Sequence, residues 1–306
     1  MAYNNTYLSY SGWNLYLGCD GAYWHRYINK TKTPPDNRVN MLYGESVGIL
    51  FEKFYADRLW KGLKTPEAVV EKLLARVDKT MDNIVQKESM RGGVWDWTQK
   101  DLKKGNRSFE EVKAEVKETI PRGVAIIRHH RLLGTKVGAE VKLDATIGGA
   151  RLGGRADFLI ERTQPHNDLV LIDGKGSRYR DKYVSRSQLI WYAMLHQELR
   201  GHLPDKLGFL FWRYEPEKSM DWVEFTQKDV DILKETVLDS IKAIEEGKRQ
   251  MLKNPGSETL KAVFPVKPGS ECRFCSYRTA CPQGQAFLEK KAPIPEGIGV
   301  EDIGLD

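Results

Sequence analysis

The sequence predicts an α/β protein with one central mixed β-sheet and helices on both faces. Three observations lead there. Leu169-Val-Leu-Ile172 is a short apolar run, entered from the turn signal Asn167-Asp168, of the kind buried on both faces of a sheet. Residues 137–146 alternate, with Val141 and Leu143 between Glu140, Lys142 and Asp144. Residues 43–60, 65–135 and the stretch after Thr226 instead carry apolar side chains at helical spacing. With 306 residues, 41% hydrophobic and 29% charged, the chain can bury a sizeable core.

Taken in order, Ser9 or Ser11 caps a short helix ending near Gly18, and Cys19 follows it. Lys30 to Asn40, with Pro34-Pro35-Asp36-Asn37, reads as a loop. Residues 43–60 form an amphipathic helix carrying Leu50, Phe51, Phe54 and Leu59. Residues 65–135 read as a helical insertion. Thr65-Pro66 is an N-cap followed by proline in the first turn. One helical stripe then runs from Val69 to Val85, and Arg91-Gly-Gly93 breaks it. Ser108-Phe-Glu-Glu111 is a capping box for a helix expected to end near Pro121, with a further helix through Val124, Ile127, Leu132 and Leu133. Trp95 and Trp97 read as core packing, with base stacking as the rival role.

Residues 137–177 supply three strands, and Val184 to Leu199 a helix bearing Gln188 and Tyr192. Lys206–Tyr214 and Met220–Phe225 are further strands, and Thr226-Gln-Lys-Asp229 caps a long helix.

The chemistry concentrates in Gly154-Arg-Ala-Asp157 and Asp173-Gly-Lys175, followed by Gln188-x3-Tyr192. Asp157 and Asp173 fall at or near the ends of neighbouring strands. Lys175 lies two residues past Asp173, on the same face of an extended strand. Two acids and a lysine converging on one point are costly to bury unpaired. A divalent cation neutralises the acids and a phosphate balances the lysine. Hard oxygen ligands suit Mg²⁺ or Mn²⁺, and such a metal activates water against a phosphodiester.

These residues resemble the PD-(D/E)XK nuclease superfamily in its RecB-like branch, including the AddB-type and CRISPR-associated RecB-like nucleases. The resemblance covers nearly the whole chain, with 65–135 the least matched. It implies a restriction-endonuclease-like core as a single domain over 1–306. It also implies an exonuclease acting on single-stranded DNA ends in recombination, repair or replication. Asp157, Asp173 and the Gly174 carbonyl would hold the metal, Lys175 would act at the scissile phosphate, and Gln188 and Tyr192 would position the strand. The family's Gly-x3-His-x3-Glu helix is matched at Gly44 and Glu52, but Gly48 stands where the family often has a metal-binding histidine. Glu45, Glu52 or water then supplies the third ligand. An exposed helical glutamate is the competing reading of Glu52. The family often has a glutamate near Glu140 as well.

The only cysteines are Cys19, Cys272, Cys275 and Cys281. Three clustered thiols and one distant one fit a 4Fe–4S cluster better than the two close pairs usual for zinc. The spacing resembles that of the same nucleases, and the expected clip joins residues 1–30 to 265–290. The net charge of +6, from 48 basic and 42 acidic residues, is compatible with nucleic acid. Arg155, Arg178, Arg180, Lys182 and Arg186 crowd the acids, and Arg155, Arg178, Arg180 and Arg186 are the expected DNA contacts. No run of 18 apolar residues and no signal-peptide pattern is present, so a cytoplasmic protein without a membrane span is expected. No Gly-x4-Gly-Lys-Ser/Thr loop occurs, so any helicase or recombination machinery would be a partner. The rival to a nuclease is a catalytically weak DNA-binding or scaffold subunit that keeps the fold and the cluster.

Overall fold

The computed structural model describes residues 6–33, 38–63, 65–97, 108–180 and 184–290. Pro34-Pro35-Asp36-Asn37 and Lys182 lie outside the described residues. In chain order the elements begin with β1 (Tyr7–Ser9), α1 (Tyr10–Gly18), α2 (Asp20–Tyr23), α3 (Val39–Ala56) and α4 (Leu59–Gly62). Next come α5 (Pro66–Leu74), α6 (Val77–Met90), α7 (Phe109–His129), β2 (Gly134–Ile147), β3 (Ala150–Arg162) and β4 (Leu169–Lys175). The chain continues with α8 (Arg186–Arg200), β5 (Lys206–Phe211), β6 (Met220–Val223), α9 (Gln227–Lys253), α10 (Ser257–Val263) and α11 (Pro282–Lys290). Two compact units result, one of residues 1–10 and 35–243, the other of 11–34 and 244–306.

The first unit is built on a mixed sheet in the order β1-β3-β4-β5-β6, with β2 also on β3. Strand β3 is long enough to pair β2 antiparallel along one edge, and β1 (parallel) then β4 (antiparallel) along the other. Gly148 and Gly149, at φ 57° and 83°, make the tight turn from β2 to β3 that a side chain would strain. Helix α8 is the crossover between the parallel strands β4 and β5.

One face of the sheet, with Phe158, Ile160, Val170 and Ile172, is covered by α3, α5, α6 and α7. Those helices bury Leu50, Phe51, Phe54, Leu73, Met81, Val116 and Ile120. Helix α8 covers the other face and buries Leu189, Trp191, Ala193 and Leu195. Burying one such side chain is worth about 1.5–3 kcal/mol, so these two layers are the main source of the unit's stability.

The caps form as the residues dictate. The Thr65 hydroxyl accepts from Ala68 N at 3.2 Å, and Ser108 and Glu111 make the reciprocal capping box. Two sequence expectations are corrected. The stripe from Val69 to Val85 is two helices, α5 and α6, broken at Ala75-Arg76, because each turns a separate apolar face to the core. Pro121 does not end its helix: α7 runs through it to His129. Proline removes one N–H bond, but Val112, Val116, Ile120, Val124 and Ile127 form a continuous buried stripe across it, and that packing outweighs the lost bond. Trp95 and Trp97 lie partly buried against the core, ring on ring at 6.1 Å.

In the second unit, Phe264 is buried, with the backbone of Gly247 close against its ring. Gly21 similarly lies against Val266. Lys267 Nζ reaches Asp20 at 2.7 Å and the Leu17 carbonyl at 3.2 Å, so the segment around Cys19 is tied to the tail.

Candidate active site

The antiparallel register of β3 and β4 pairs Phe158 with Ile172, so Asp157 and Asp173 occupy the next rung and face each other across the ladder. The Gly174 N–H donates to Asp157 Oδ2 at 2.7 Å. Asp173 is 4% exposed, and its Oδ2 takes an ion pair from Lys175 Nζ at 2.6 Å. From the first turn of α8, Gln188 closes the group. Its Oε1 accepts from Lys175 at 3.0 Å, while its Nε2 donates to Asp173 Oδ1 at 3.0 Å and to the Tyr192 hydroxyl at 3.2 Å. Five residues from three elements, Asp157, Asp173, Lys175, Gln188 and Tyr192, thus stand together as the sequence expected.

Burial, and then the charge of Asp173, pushes the Asp157 carboxyl up to about 8. Burial also raises Asp173, against the opposing pull of Lys175. Burial likewise pushes the Tyr192 phenol up. Two facing carboxyls that resist ionisation together have the donor chemistry of a divalent-cation site, since a cation removes both penalties.

Asp157 and Gly174 open into a cavity of 640 Å³ whose opposite wall is α3 and α6. Glu52 and Gly48 line it from α3, and Glu140 from β2. Burial raises the Glu52 carboxyl, and Glu140 raises it further. Glu140 has a positive φ of 51°, which is costly for glutamate, and pairs with Arg155 at 3.2 Å. A Cβ placed on Gly48 meets nothing within 4 Å, so the position is open. Among the described residues, no group of three or more His, Cys, Asp or Glu side chains already surrounds one point as a metal would require.

The arginines are engaged within the protein. Arg178 and Arg213 both pair with Glu115 on α7, and Arg213 Nε donates to the Gly176 carbonyl at 2.6 Å. Arg180 pairs with Asp221 at 3.0 Å, and Arg186 with Asp229 at 2.9 Å. Sequence reasoning missed this clasp behind Lys175, because Glu115 is more than fifty residues away along the chain. It also missed Trp212, whose ring stacks on Phe51 at 4.3 Å and whose Nε1 would lie 2.9 Å from a Cβ on Gly174. Tyr10 is a third omission. Its hydroxyl bonds Ser185 at 2.7 Å and Ser187 at 3.1 Å, which holds the start of α8 where Gln188 must point.

In the second unit the thiols receive backbone donors. Lys267 N–H lies 3.5 Å from Cys19 Sγ, Gly269 N–H 3.4 Å from Cys272 Sγ and Gly284 N–H 3.3 Å from Cys281 Sγ. A Cβ on Gly284 would sit 3.3 Å from Cys281 Sγ and 3.6 Å from Cys272 Sγ. Burial raises the Cys275 thiol, and the proximity of Cys19, Cys272 and Cys281 raises it further. The four thiols are close enough to raise one another's charge cost, but they do not surround one point as a bound metal would require.

The family model described as PD-(D/E)XK nuclease superfamily matches residues 7–282. No curated protein matches the sequence. Among solved structures, a protein titled SSO0001 is 16% identical with a TM-score of 0.28, over 57% of this chain and 76% of that one. Protein VC1899 from Vibrio cholerae is 13% identical with a TM-score of 0.22, over 67% of this chain and 56% of that one. Scores this low describe a partial likeness only, and the match spans little more than half of the Vibrio protein.

Proposed function

Because the chain belongs to the PD-(D/E)XK nuclease superfamily, we propose that it is a metal-dependent DNA nuclease, an exonuclease acting on single-stranded ends in recombination, repair or replication. The observation that carries the reading is the closed set Asp157, Asp173, Lys175 and Gln188, in which the lysine is held at 2.6 Å from one acid and 3.0 Å from the amide.

Asp157 and Asp173, with the Gly174 carbonyl and Glu52, would hold Mg²⁺ or Mn²⁺. A bound divalent cation supplies an activated water and neutralises phosphate oxygens. The rest falls to the chain's own residues. Lys175 keeps its ammonium toward the acids, where it stabilises charge growing on the scissile phosphate. Gln188 fixes the rotamers of both Lys175 and Asp173, so the lysine need not reorganise as the reaction proceeds. Tyr192, a neutral phenol hydrogen-bonded to Gln188, orients that amide and the strand. Arg155, Arg178, Arg180 and Arg186, paired with Glu140, Glu115, Asp221 and Asp229 in the free protein, would contact the strand's phosphates by exchanging those carboxylates for them. Cys19, Cys272, Cys275 and Cys281 would hold a 4Fe–4S cluster that clips the N-terminal segment to the tail. A helicase or recombination partner would supply single-stranded ends, and the setting is cytoplasmic.

End-labelled single- and double-stranded DNA incubated with Mg²⁺, Mn²⁺ or EDTA tests this reading. Cleavage from single-stranded ends with either metal and none in EDTA is expected. Protein with an intact cluster that cuts no nucleic acid with either metal refutes it. The second reading is a DNA-binding subunit with weak catalysis, favoured by glycine at position 48 in the cavity wall. It requires metal-independent binding without cleavage.

A further inference from the structure

A second cavity, of 490 Å³, opens at the other end of β4 from the catalytic residues. Leu169 in its wall lies four residues before Asp173, about 13 Å along the strand. His196 in the same wall lies eight residues past Gln188, about 12 Å along α8. The two sites are therefore distinct.

The ionisable groups of this wall are Arg58, Lys136, Arg200, His196, His202 and Glu161. Lys136 and Glu161 neutralise each other at 3.2 Å. Arg58 and Arg200 are exposed and neither has a carboxylate partner among the described residues; the neighbouring Asp57 and Glu198 pair with Arg76 and Lys234 instead. His196 is 2% exposed. Its Nδ1 donates to the His202 carbonyl at 2.9 Å, which leaves Nε2 without a protein partner among the described residues. The ring as a whole is buried, but Nε2 is open to the cavity and not sealed in the core, so a ligand there can reach it. Arg58 is held at φ 48°, a conformation that non-glycine residues rarely adopt.

We propose that this cavity binds a phosphate group. Two guanidinium forks match phosphate oxygens in charge and geometry. His196 Nε2 accepts from a phosphate hydroxyl or, once protonated, donates to a phosphate oxygen. The volume admits a nucleotide as readily as inorganic phosphate. The inference does not rest on the nuclease reading, since it uses none of the catalytic residues.

The test uses the whole chain in EDTA, so that no cleavage intervenes. Calorimetric titrations with inorganic phosphate, deoxyadenosine monophosphate and a short single-stranded oligonucleotide are run on wild type and on Arg58→Asn/Arg200→Gln. Asparagine tolerates the positive φ at position 58. Lys136→Gln, at a side chain 80% exposed that pairs with the half-exposed Glu161, is a second variant at the cavity rim. The double substitution should weaken phosphate or nucleotide binding at least about tenfold, with an unchanged circular dichroism spectrum, and Lys136→Gln should weaken it less. Loss confined to the oligonucleotide, with a shallower salt dependence, assigns the site to the backbone of a nucleic acid strand. Loss with the free phosphates assigns it to a nucleotide or phosphate ligand. Binding left unchanged by the double substitution, or no binding of any of the three probes, overturns the proposal.

Discussion

Replacing Asp157 by asparagine should stabilise the metal-free protein while abolishing cleavage. In the folded chain burial and the facing Asp173 push this carboxyl up to about 8. Each pH unit between that value and the ordinary carboxylate range corresponds to about 1.4 kcal/mol of ionisation. A carboxyl whose folded pKa lies above its unfolded value binds its proton more tightly in the fold. Its contribution to stability is whole below about pH 4 and is lost as pH rises to about 8. At pH 8 wild type therefore carries a penalty on the order of several kcal/mol that asparagine does not. The amide keeps an oxygen to accept from Gly174 N–H and offers Asp173 a donor instead of a charge. For a body of this size about 1 kcal/mol moves Tm by roughly 2–4 °C. Thermal melts in EDTA from pH 4 to pH 9 should show the variant level with wild type at the acid end and several degrees above it at pH 8. Added Mg²⁺ or Mn²⁺ should raise the wild-type Tm at pH 8 and leave the variant unmoved. A variant that melts below wild type at pH 8, or that cuts DNA at the wild-type rate, would refute the reasoning.

Gly48→His should tighten Mn²⁺ binding by about tenfold, because a side chain there meets open space beside Asp157; unchanged affinity in a metal titration would show that the position is too remote. Lys175→Met should cut kcat severely yet leave metal affinity intact, since an ammonium has no lone pair to offer, and weakened metal binding would argue that the lysine mainly orders Asp173. Cys19→Ala should yield a colourless protein whose second unit melts earlier, because in the proposed cluster the thiol would tie the N-terminal segment to Cys272, Cys275 and Cys281; a colourless wild type purified without oxygen and holding stoichiometric zinc defeats the cluster. Arg162→Ala should cost about 3–5 kcal/mol in denaturant melts, since it strips the paired bonds of 2.7 and 2.6 Å from Asp168 inside the fold.

Much of the site was legible in the sequence because strands and helices repeat. A period of two puts Asp173 and Lys175 on one face, and the Asn167-Asp168 turn brings Asp157 opposite Asp173. An i, i+4 spacing stacks Gln188 over Tyr192. For the four cysteines the sequence shows a tight triplet and a distant single, and packing brings Cys19 near the triplet. What the tertiary structure alone decided depends on groups that meet through space. The sequence shows basic residues crowding the acids, but only packing reveals that Glu115 takes Arg178 and Arg213, that Asp221 takes Arg180 and that Asp229 takes Arg186. Local rules end a helix at Pro121, yet a buried stripe carries α7 through it, because summed apolar burial exceeds one missing hydrogen bond. Gly48 reads as a missing ligand in one dimension, and in three it is an open position in a cavity wall shared with Glu52, Glu140 and Asp157. Periodicity fixes direction along one element, whereas charge pairing, cavities and burial depend on distances between elements, and these emerge only when the whole chain packs.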